Sequence, residues 1–143
     1  MAIPPHRPPA LVREAGLSNE TGWIPVDRQR LATSHDRVLA IGDVTALRIP
    51  CRWKPDVPLM LPKAGAFAHA EALVVAHRIA AEIRGAAPTD RFCGDGFCIL
   101  EAGKDLAGVA FGDFFHEPSP KPCQHCAYST ATVICPITSP TRA

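Results

Sequence analysis

A glycine–aspartate pair, Gly42 and Asp43, is the strongest candidate for ligand chemistry in this sequence. It ends residues 33–43 (TSHDRVLAIGD), in which the short apolar run 37–41 leads directly into the pair. Glycine lets the backbone approach a ligand and turn without a Cβ clash. The aspartate carboxylate can accept a charge-assisted hydrogen bond from a ligand hydroxyl. The segment therefore predicts a ligand-contacting turn at the end of a buried strand.

A second candidate lies at residues 61–65, Leu-Pro-Lys-Ala-Gly, at the start of a predicted helix. The first N–H groups of a helix have no partner within it, and together with the positive end of the helix dipole they attract negative charge. We therefore expect Lys63, Ala64 and Gly65 to face an electron-rich part of a ligand.

The element that must position this second candidate is a helix predicted over residues 63–84. Its apolar positions recur every three or four residues and form one stripe: Ala68, Ala72, Val75, Ile79 and Ile83. Three charged residues share a different face: Glu71, Arg78 and Glu82. Pro62 stands just before the first turn and Gly85 just after the last, which is the usual asymmetry of helix ends.

The remaining elements are shorter. The run 37–41 predicts a strand buried on both faces of a parallel sheet. Residues 48–62 contain four prolines and predict a loop, whose length makes it a candidate functional loop. The apolar-aromatic runs 92–101 and 109–115 are joined by a polar, glycine-containing turn and predict a β-hairpin. Two further short elements are predicted: a helical turn at 11–16 and a strand at 23–26.

Residues 33–43, with Thr33 at the family spacing from Gly42 and Asp43, resemble the second FAD-binding motif of the pyridine nucleotide-disulfide oxidoreductase superfamily. The run LPKAGAFAHAEALVVAHRIAAEI resembles a helix of sulfide:quinone oxidoreductases and flavocytochrome c sulfide dehydrogenases that points at the flavin pyrimidine ring. The resemblance, over about residues 3–118, implies that Asp43 bonds a ribityl hydroxyl. It also implies that residues 63–65 stabilise negative charge on the reduced flavin.

The predicted hairpin resembles the small C-terminal sheet that covers the flavin and the quinone pocket in this family. Cys98 falls near the position of one of two redox cysteines in sulfide-oxidising members, which implies a catalytic role, because a thiolate is a good nucleophile. Many relatives with other substrates also carry a cysteine in this strand. A buried structural cysteine is therefore the alternative interpretation of Cys98.

A GxGxxG dinucleotide fingerprint is missing from the sequence. Because that motif comes first in the family, the resemblance implies that the chain is the C-terminal part of a longer protein or of a split gene product. It would bind FAD only with a separate N-terminal FAD/NAD-binding half, and alone it is expected to be inactive. The complete enzyme would pass electrons from a sulfur donor or NAD(P)H through FAD to a quinone. An NAD(P)H:quinone or ferredoxin reductase-like flavoenzyme is the alternative.

Composition excludes several other classes. The chain has 143 residues, of which 47% are hydrophobic and 20% charged, as in one ordinary globular domain. Its formal net charge is +1 and its basic residues are scattered, so no basic stripe indicates nucleic-acid binding. No apolar run approaches the roughly 18 residues of a membrane span. We expect a cytoplasmic protein and leave peripheral membrane contact and homo-oligomerisation open.

We therefore predict an α+β protein in three parts: residues 1–87 as the C-terminal portion of an FAD-binding α/β domain, 88–118 as the C-terminal hairpin or sheet region, and 119–143 as an irregular or disordered tail. The tail holds Cys123, His125, Cys126 and Cys135. A Cys-x-x-Cys knuckle suits zinc, but a second knuckle is missing, so no metal ligands are predicted. A zinc-binding or non-catalytic assembly module is the competing class of function.

Overall fold

The computed structural model of the chain describes residues 6–54, 56–103, 106–117 and 135–136. The fold is α+β, with one long helix and two small antiparallel sheets. The elements are, in chain order, helix α1 (Ala10–Glu14), a 3-10 turn (Gly42–Val44), strands β1 (Arg48–Lys54) and β2 (Val57–Met60), helix α2 (Gly65–Ile83), and strands β3 (Asp95–Gly103), β4 (Leu106–Asp113) and β5 (Cys135–Pro136).

Helix α2 confirms the long helix predicted from the sequence. Its N-cap, Ala64, is extended, with φ −141° and ψ 144°, and the helix runs for 19 residues. At the other end Gly85 adopts φ +69°, and its N–H donates to the Glu82 carbonyl at 3.0 Å. Glycine takes this left-handed conformation without the steric cost that a Cβ imposes, which explains why the helix stops there.

The face that α2 buries differs from the predicted apolar stripe. Its buried residues are Phe67, Glu71, Arg78 and Ala81, whereas Ile79 is 42% exposed and Ile83 81% exposed. The C-terminal part of the apolar stripe therefore does not lie against the core. The inward-facing charged groups have main-chain hydrogen-bond partners, which lowers the cost of burying them.

The β3–β4 hairpin is confirmed. Its register runs from Asp95 opposite Asp113 to Gly103 opposite Leu106, so the connection is shorter than predicted. Strand β5 adds two pairs to the edge of β4, at Leu106 and Ala107. These two residues of the tail are paired, and the other residues of 118–143 lie outside the described part of the chain, so the irregular or disordered tail stays a prediction.

The loop predicted over residues 48–62 is wrong, because strands β1 and β2 form an antiparallel pair there. The pairing is irregular, with register shifts on either side of Arg52. A two-stranded sheet leaves many N–H groups pointing outward, and proline is tolerated on such an edge because no ladder hydrogen bond is lost. Pro50 and Pro58 lie within the two strands, where this edge position accommodates them.

The prediction of a regular strand at residues 37–41 is also wrong. Leu39 makes only an isolated antiparallel bridge to Ala32, and Arg37 has φ +57°. The Thr33 hydroxyl donates to the Val38 carbonyl at 2.9 Å and closes this turn. No parallel neighbour for the segment occurs within the described residues, and the predicted strand at 23–26 is likewise reduced to a single parallel bridge between Ile24 and Thr45.

The main core lies between the N-terminal half of α2, the 24–49 region and the β3–β4 hairpin. Its buried residues are Leu31, Leu47, Ile49, Leu61, Phe67 and Phe92. The Phe67 ring meets Phe114 edge to face at 5.0 Å between centroids, and Phe92 meets Phe115 in the same way at 5.3 Å. Full burial of one such side chain contributes about 1.5–3 kcal/mol.

A second, smaller cluster of Val12, Ile24 and Ala40 anchors helix α1, which confirms the helical turn predicted near residue 11. Among the described helices, none is both long enough and apolar enough to cross a bilayer.

Candidate functional site

The Gly42–Asp43 turn lies against the N-terminus of helix α2. Together the two segments line a small cavity of about 10 Å³, and Lys63, Ala64 and Glu71 are among its lining residues. The structure therefore brings together two motifs that the sequence separates by 20 positions, although a ligand role for either motif stays a prediction.

Gly42 is required at this contact for two reasons. Its φ of +71° lies in the left-handed region, and a Cβ at this position would stand 3.2 Å from the Cβ of Ala68 on α2. Its N–H donates to Oε2 of Glu71 at 2.5 Å, and its carbonyl accepts from the Thr45 hydroxyl at 2.9 Å. Any other residue here would be strained and would press the turn away from the helix.

Glu71 is the site residue that sequence reasoning missed, because it was grouped with the other charged residues of α2, Arg78 and Glu82. Its side chain is 1% exposed. Burial raises the pKa of its carboxyl group, the Gly42 N–H opposes this, and the nearby Asp43 charge adds to it. One signal was present in the sequence: Glu71 lies one turn after Phe67, the bulkiest apolar residue of the helix, and so shares its face.

Lys63 folds back onto the turn. Its Nζ donates to the main-chain oxygen of Asp43 and to that of Thr45, the latter at 3.3 Å. The same atom lies 3.9 Å from the ring centroid of Trp23, a cation–π contact. Burial lowers the pKa of Lys63, and the carboxylates of Asp43 and Glu71 oppose that shift. The amino group thus ties the turn to the helix, and its role as a cofactor contact stays a prediction.

At this site, one hydrogen-bond acceptor and two hydrogen-bond donors have no partner among the described residues. The Asp43 side chain is exposed, and its carboxylate accepts no hydrogen bond from the residues that the structure describes. Over the same residues, the N–H groups of Gly65 and Ala66 in the first turn of α2 have no acceptor. A ligand at this edge could therefore donate a hydroxyl to Asp43 and present an electron-rich carbonyl to the helix.

Cys98 lies on the face of β3 that packs on the core. Its side chain is half-buried and contacts the main cluster, while Gly96, two residues earlier, leaves the space that the Phe67 ring occupies. Burial raises the pKa of the Cys98 thiol and so keeps it protonated at neutral pH. This environment suits the structural interpretation of Cys98, and its catalytic role stays a prediction.

The cysteine-rich tail is mostly outside the described residues, including Cys123, His125 and Cys126, and for Cys135 only the backbone pairing is described. In the part that is described, no three His, Cys, Asp or Glu side chains gather where they could hold a metal ion. Of the remaining cysteines, Cys93 is exposed.

No protein-family model matches the chain. By structure it is similar to a chain of the mitochondrial ATP synthase of Tetrahymena thermophila, solved by cryo-EM as an F1Fo composite tetramer. The TM-score is 0.60 and the identity 18%, and the match covers 83% of this chain and 26% of that one. At this identity the likeness shows the fold alone, and this chain spans about a quarter of the length of the chain that it matches.

Proposed function

We propose that this chain is the C-terminal part of an FAD-dependent oxidoreductase of the sulfide:quinone reductase type and forms one wall of its flavin site. The observation that carries the proposal is the contact between the Gly42–Asp43 turn and the N-terminus of α2. Both segments resemble flavin-contacting motifs, and they are neighbours in the fold although 20 residues apart in the sequence.

The donor and acceptor groups at this edge fit a flavin. The exposed carboxylate of Asp43 suits a ribityl hydroxyl, which is a hydrogen-bond donor. The N–H groups of Gly65 and Ala66 suit the pyrimidine carbonyl, where the positive end of the helix dipole favours negative charge. FAD, when bound, supplies the redox chemistry, and this chain orients it and stabilises its reduced form.

Two cavities share Asp43 and Lys63 as lining residues: one of about 460 Å³, which Trp23 also lines, and the small one between the turn and α2. The small cavity, of about 10 Å³, admits roughly one water molecule and not a ring system. The flavin would therefore lie across the surface at Asp43, and the opposite wall would come from an N-terminal half that binds the pyrophosphate. On this proposal the isolated chain is inactive.

Glu71 and Lys63 have supporting roles in the proposed site. Glu71 fixes the Gly42 amide, and Lys63 fixes the carbonyls of Asp43 and Thr45, so the turn is held from both sides. These contacts fix the main chain of the turn that carries the Asp43 carboxylate. In the complete enzyme we propose a quinone as electron acceptor and a sulfur compound as donor, with NAD(P)H as the alternative donor.

The test is a fusion protein that joins the N-terminal FAD-binding half of a sulfide:quinone reductase to this chain. We expect the purified fusion to carry flavin absorbance, and we expect Asp43→Ala to lower the FAD occupancy several-fold, because the hydroxyl contact is lost. Asp56→Ala is the matched control, since Asp56 is an exposed aspartate in the turn between β1 and β2.

A colourless fusion that is folded by circular dichroism would contradict the proposal, as would equal FAD occupancy in the Asp43→Ala and Asp56→Ala proteins. Either result would favour the competing class, a non-catalytic assembly role. The solved chain with a similar fold is part of an ATP synthase, so a fold of this kind does occur within a large assembly.

A further inference from the structure

Main-chain contacts hold Trp23 beside the Gly42–Asp43 turn. The N–H of Ile24, the next residue in the chain, donates to the Val44 carbonyl at 3.0 Å, and Ile24 forms a parallel bridge with Thr45. The indole side chain of Trp23 is half-buried and lines the cavity of about 460 Å³ at this turn. The ring therefore has a fixed place in the wall of the candidate site.

The indole ring holds a cation, the ammonium group of Lys63. Its Nζ lies 3.9 Å from the ring centroid and donates to the main-chain oxygens of Asp43 and Thr45. An ammonium group has three N–H donors and no acceptor. Two carbonyl oxygens and one aromatic face therefore satisfy this group without a carboxylate.

Lys63 and Asp43 form no ion pair within the described residues, although both line the same two cavities. The carboxylates whose charges act on Lys63 are those of Asp43 and Glu71. Glu71 is 1% exposed and accepts the Gly42 N–H, whereas Asp43 is exposed. Of these two carboxylates, that of Asp43 is therefore the one that either Lys63 or a ligand can reach.

The ring and the Asp43 carboxylate compete for the Lys63 ammonium. An exposed ion pair contributes little to stability, because water screens it and ordering two side chains costs entropy. A cation is held more strongly over an indole ring where the pair is partly shielded from water. Burial lowers the pKa of Lys63, as expected for an ammonium group with such shielding. The ring is therefore the stronger partner in this position.

We propose that Trp23 is a positioning residue, which keeps the Asp43 carboxylate available to a ligand by holding the Lys63 ammonium on the main chain of the turn. Without the ring, the ammonium moves from the main-chain oxygen of Asp43 to the carboxylate of the same residue. It then blocks the acceptor that a ligand hydroxyl needs. That this ligand is a flavin rests on the proposed function, whereas the competition for Lys63 does not.

The first test needs no flavin. A carbodiimide activates a carboxylate and joins it to an amine in contact with it as an amide, while the reagent itself becomes a urea. We expect Trp23→Leu to raise the yield of the Asp43–Lys63 amide several-fold over the wild-type chain, as quantified by peptide mass spectrometry. Phe97→Leu is the matched control, because it removes a ring that is 40% exposed on β3 and should leave the yield unchanged.

A second variant, Trp23→Phe, keeps a ring that attracts a cation less strongly than indole does. We expect its amide yield to lie between those of the wild type and Trp23→Leu. Circular dichroism verifies the folding of each variant, and Trp23→Phe carries the test if Trp23→Leu is unfolded. A yield in the folded variants no higher than in the wild type would overturn the proposal.

The second test asks whether Trp23 acts through Lys63. In the fusion with the N-terminal FAD-binding half, we expect Trp23→Leu to lower the FAD occupancy several-fold. The same change in a Lys63→Met background should have no further effect, because no ammonium remains to block Asp43. An equal loss in both backgrounds would mean that the ring acts on the site directly, and it would overturn the positioning role.

The two measurements also separate this proposal from the proposed function. A colourless fusion, together with an increased amide yield in Trp23→Leu, contradicts the flavin site and supports the role of Trp23. A yellow fusion whose FAD occupancy is unchanged by Trp23→Leu supports the flavin site and overturns the role of Trp23.

Discussion

Oε2 of Glu71 accepts a hydrogen bond from the N–H of Gly42 at 2.5 Å, across 29 positions of sequence. This bond fixes the Gly42–Asp43 turn to the first turns of helix α2. Because Glu71 is 1% exposed, its carboxylate is shielded from bulk solvent, and the position of the candidate ligand-binding aspartate depends on a buried residue of the helix.

Replacing Glu71 tests how strongly this bond holds the fold. Glu71→Leu leaves the Gly42 N–H buried without an acceptor, and we expect a loss of about 1–3 kcal/mol in the free energy of unfolding. Glu71→Gln keeps an oxygen acceptor and removes the desolvated charge, so it should retain most of the stability at neutral pH. Urea unfolding measures both variants, and equal stability of Glu71→Leu and Glu71→Gln would contradict the role of the hydrogen bond.

The pH dependence of stability follows from the raised pKa of Glu71. Because the pKa of Glu71 in the folded state lies above its ordinary value of 4.5, the folded state binds the carboxyl proton more tightly than the unfolded state does. Stability contributed by the group is therefore greatest at low pH and falls as the pH rises through the folded-state pKa. We expect the wild type to lose stability relative to Glu71→Gln over this range, measured by urea unfolding at several pH values.

An NMR titration gives an independent measure of the ionisation of Glu71. The Gly42 amide proton, hydrogen-bonded to the carboxylate, should shift with an apparent pKa above 4.5, and this transition should disappear in Glu71→Gln. Parallel stability curves for the two proteins, or a Gly42 shift that does not titrate, would show that Glu71 ionises as in the unfolded chain.

Alanine variants of two glycines separate the energetic cost of backbone strain from the cost of the close contact between the turn and α2. Gly42 and Gly85 have nearly equal φ, +71° and +69°, but a Cβ at Gly42 would meet Ala68, whereas a Cβ at Gly85 meets nothing within 4 Å. Gly85→Ala should cost about 1–2 kcal/mol, the price of left-handed backbone with a Cβ. Gly42→Ala should cost measurably more in thermal or urea unfolding, and equal costs would mean that the turn can move away from the helix.

The two cysteines described with their side chains should differ in reactivity. Cys93 is exposed, whereas Cys98 is half-buried with a raised pKa, so little of Cys98 is thiolate at neutral pH. We expect iodoacetamide to alkylate Cys93 several-fold faster than Cys98, as followed by peptide mass spectrometry. Faster alkylation of Cys98 would indicate an activated thiolate and would favour the catalytic interpretation.

The parts of the fold that were predicted correctly depend on local signals. The ends of α2 follow from Pro62 and Gly85, and the β3–β4 hairpin follows from two apolar-aromatic runs around a polar turn. Gly42 likewise predicted a turn, which the 3-10 turn Gly42–Val44 confirms, whereas the ligand role of that turn stays a prediction. Each signal acts within a few residues, through fixed backbone angles or a repeated side-chain direction, so no knowledge of the tertiary structure is needed.

The errors concern contacts between distant residues. Residues 48–62 form strands only because two segments of that region pair with each other. A regular strand at residues 37–41 would need a parallel neighbour, and the described residues provide none. Sequence alone therefore determined where the helix and hairpin lie and which turn carries Asp43. Only the tertiary structure decided that α2 buries Glu71 and Arg78 and leaves Ile79 exposed, because the face that a helix buries is set by what packs against it, not by its own periodicity.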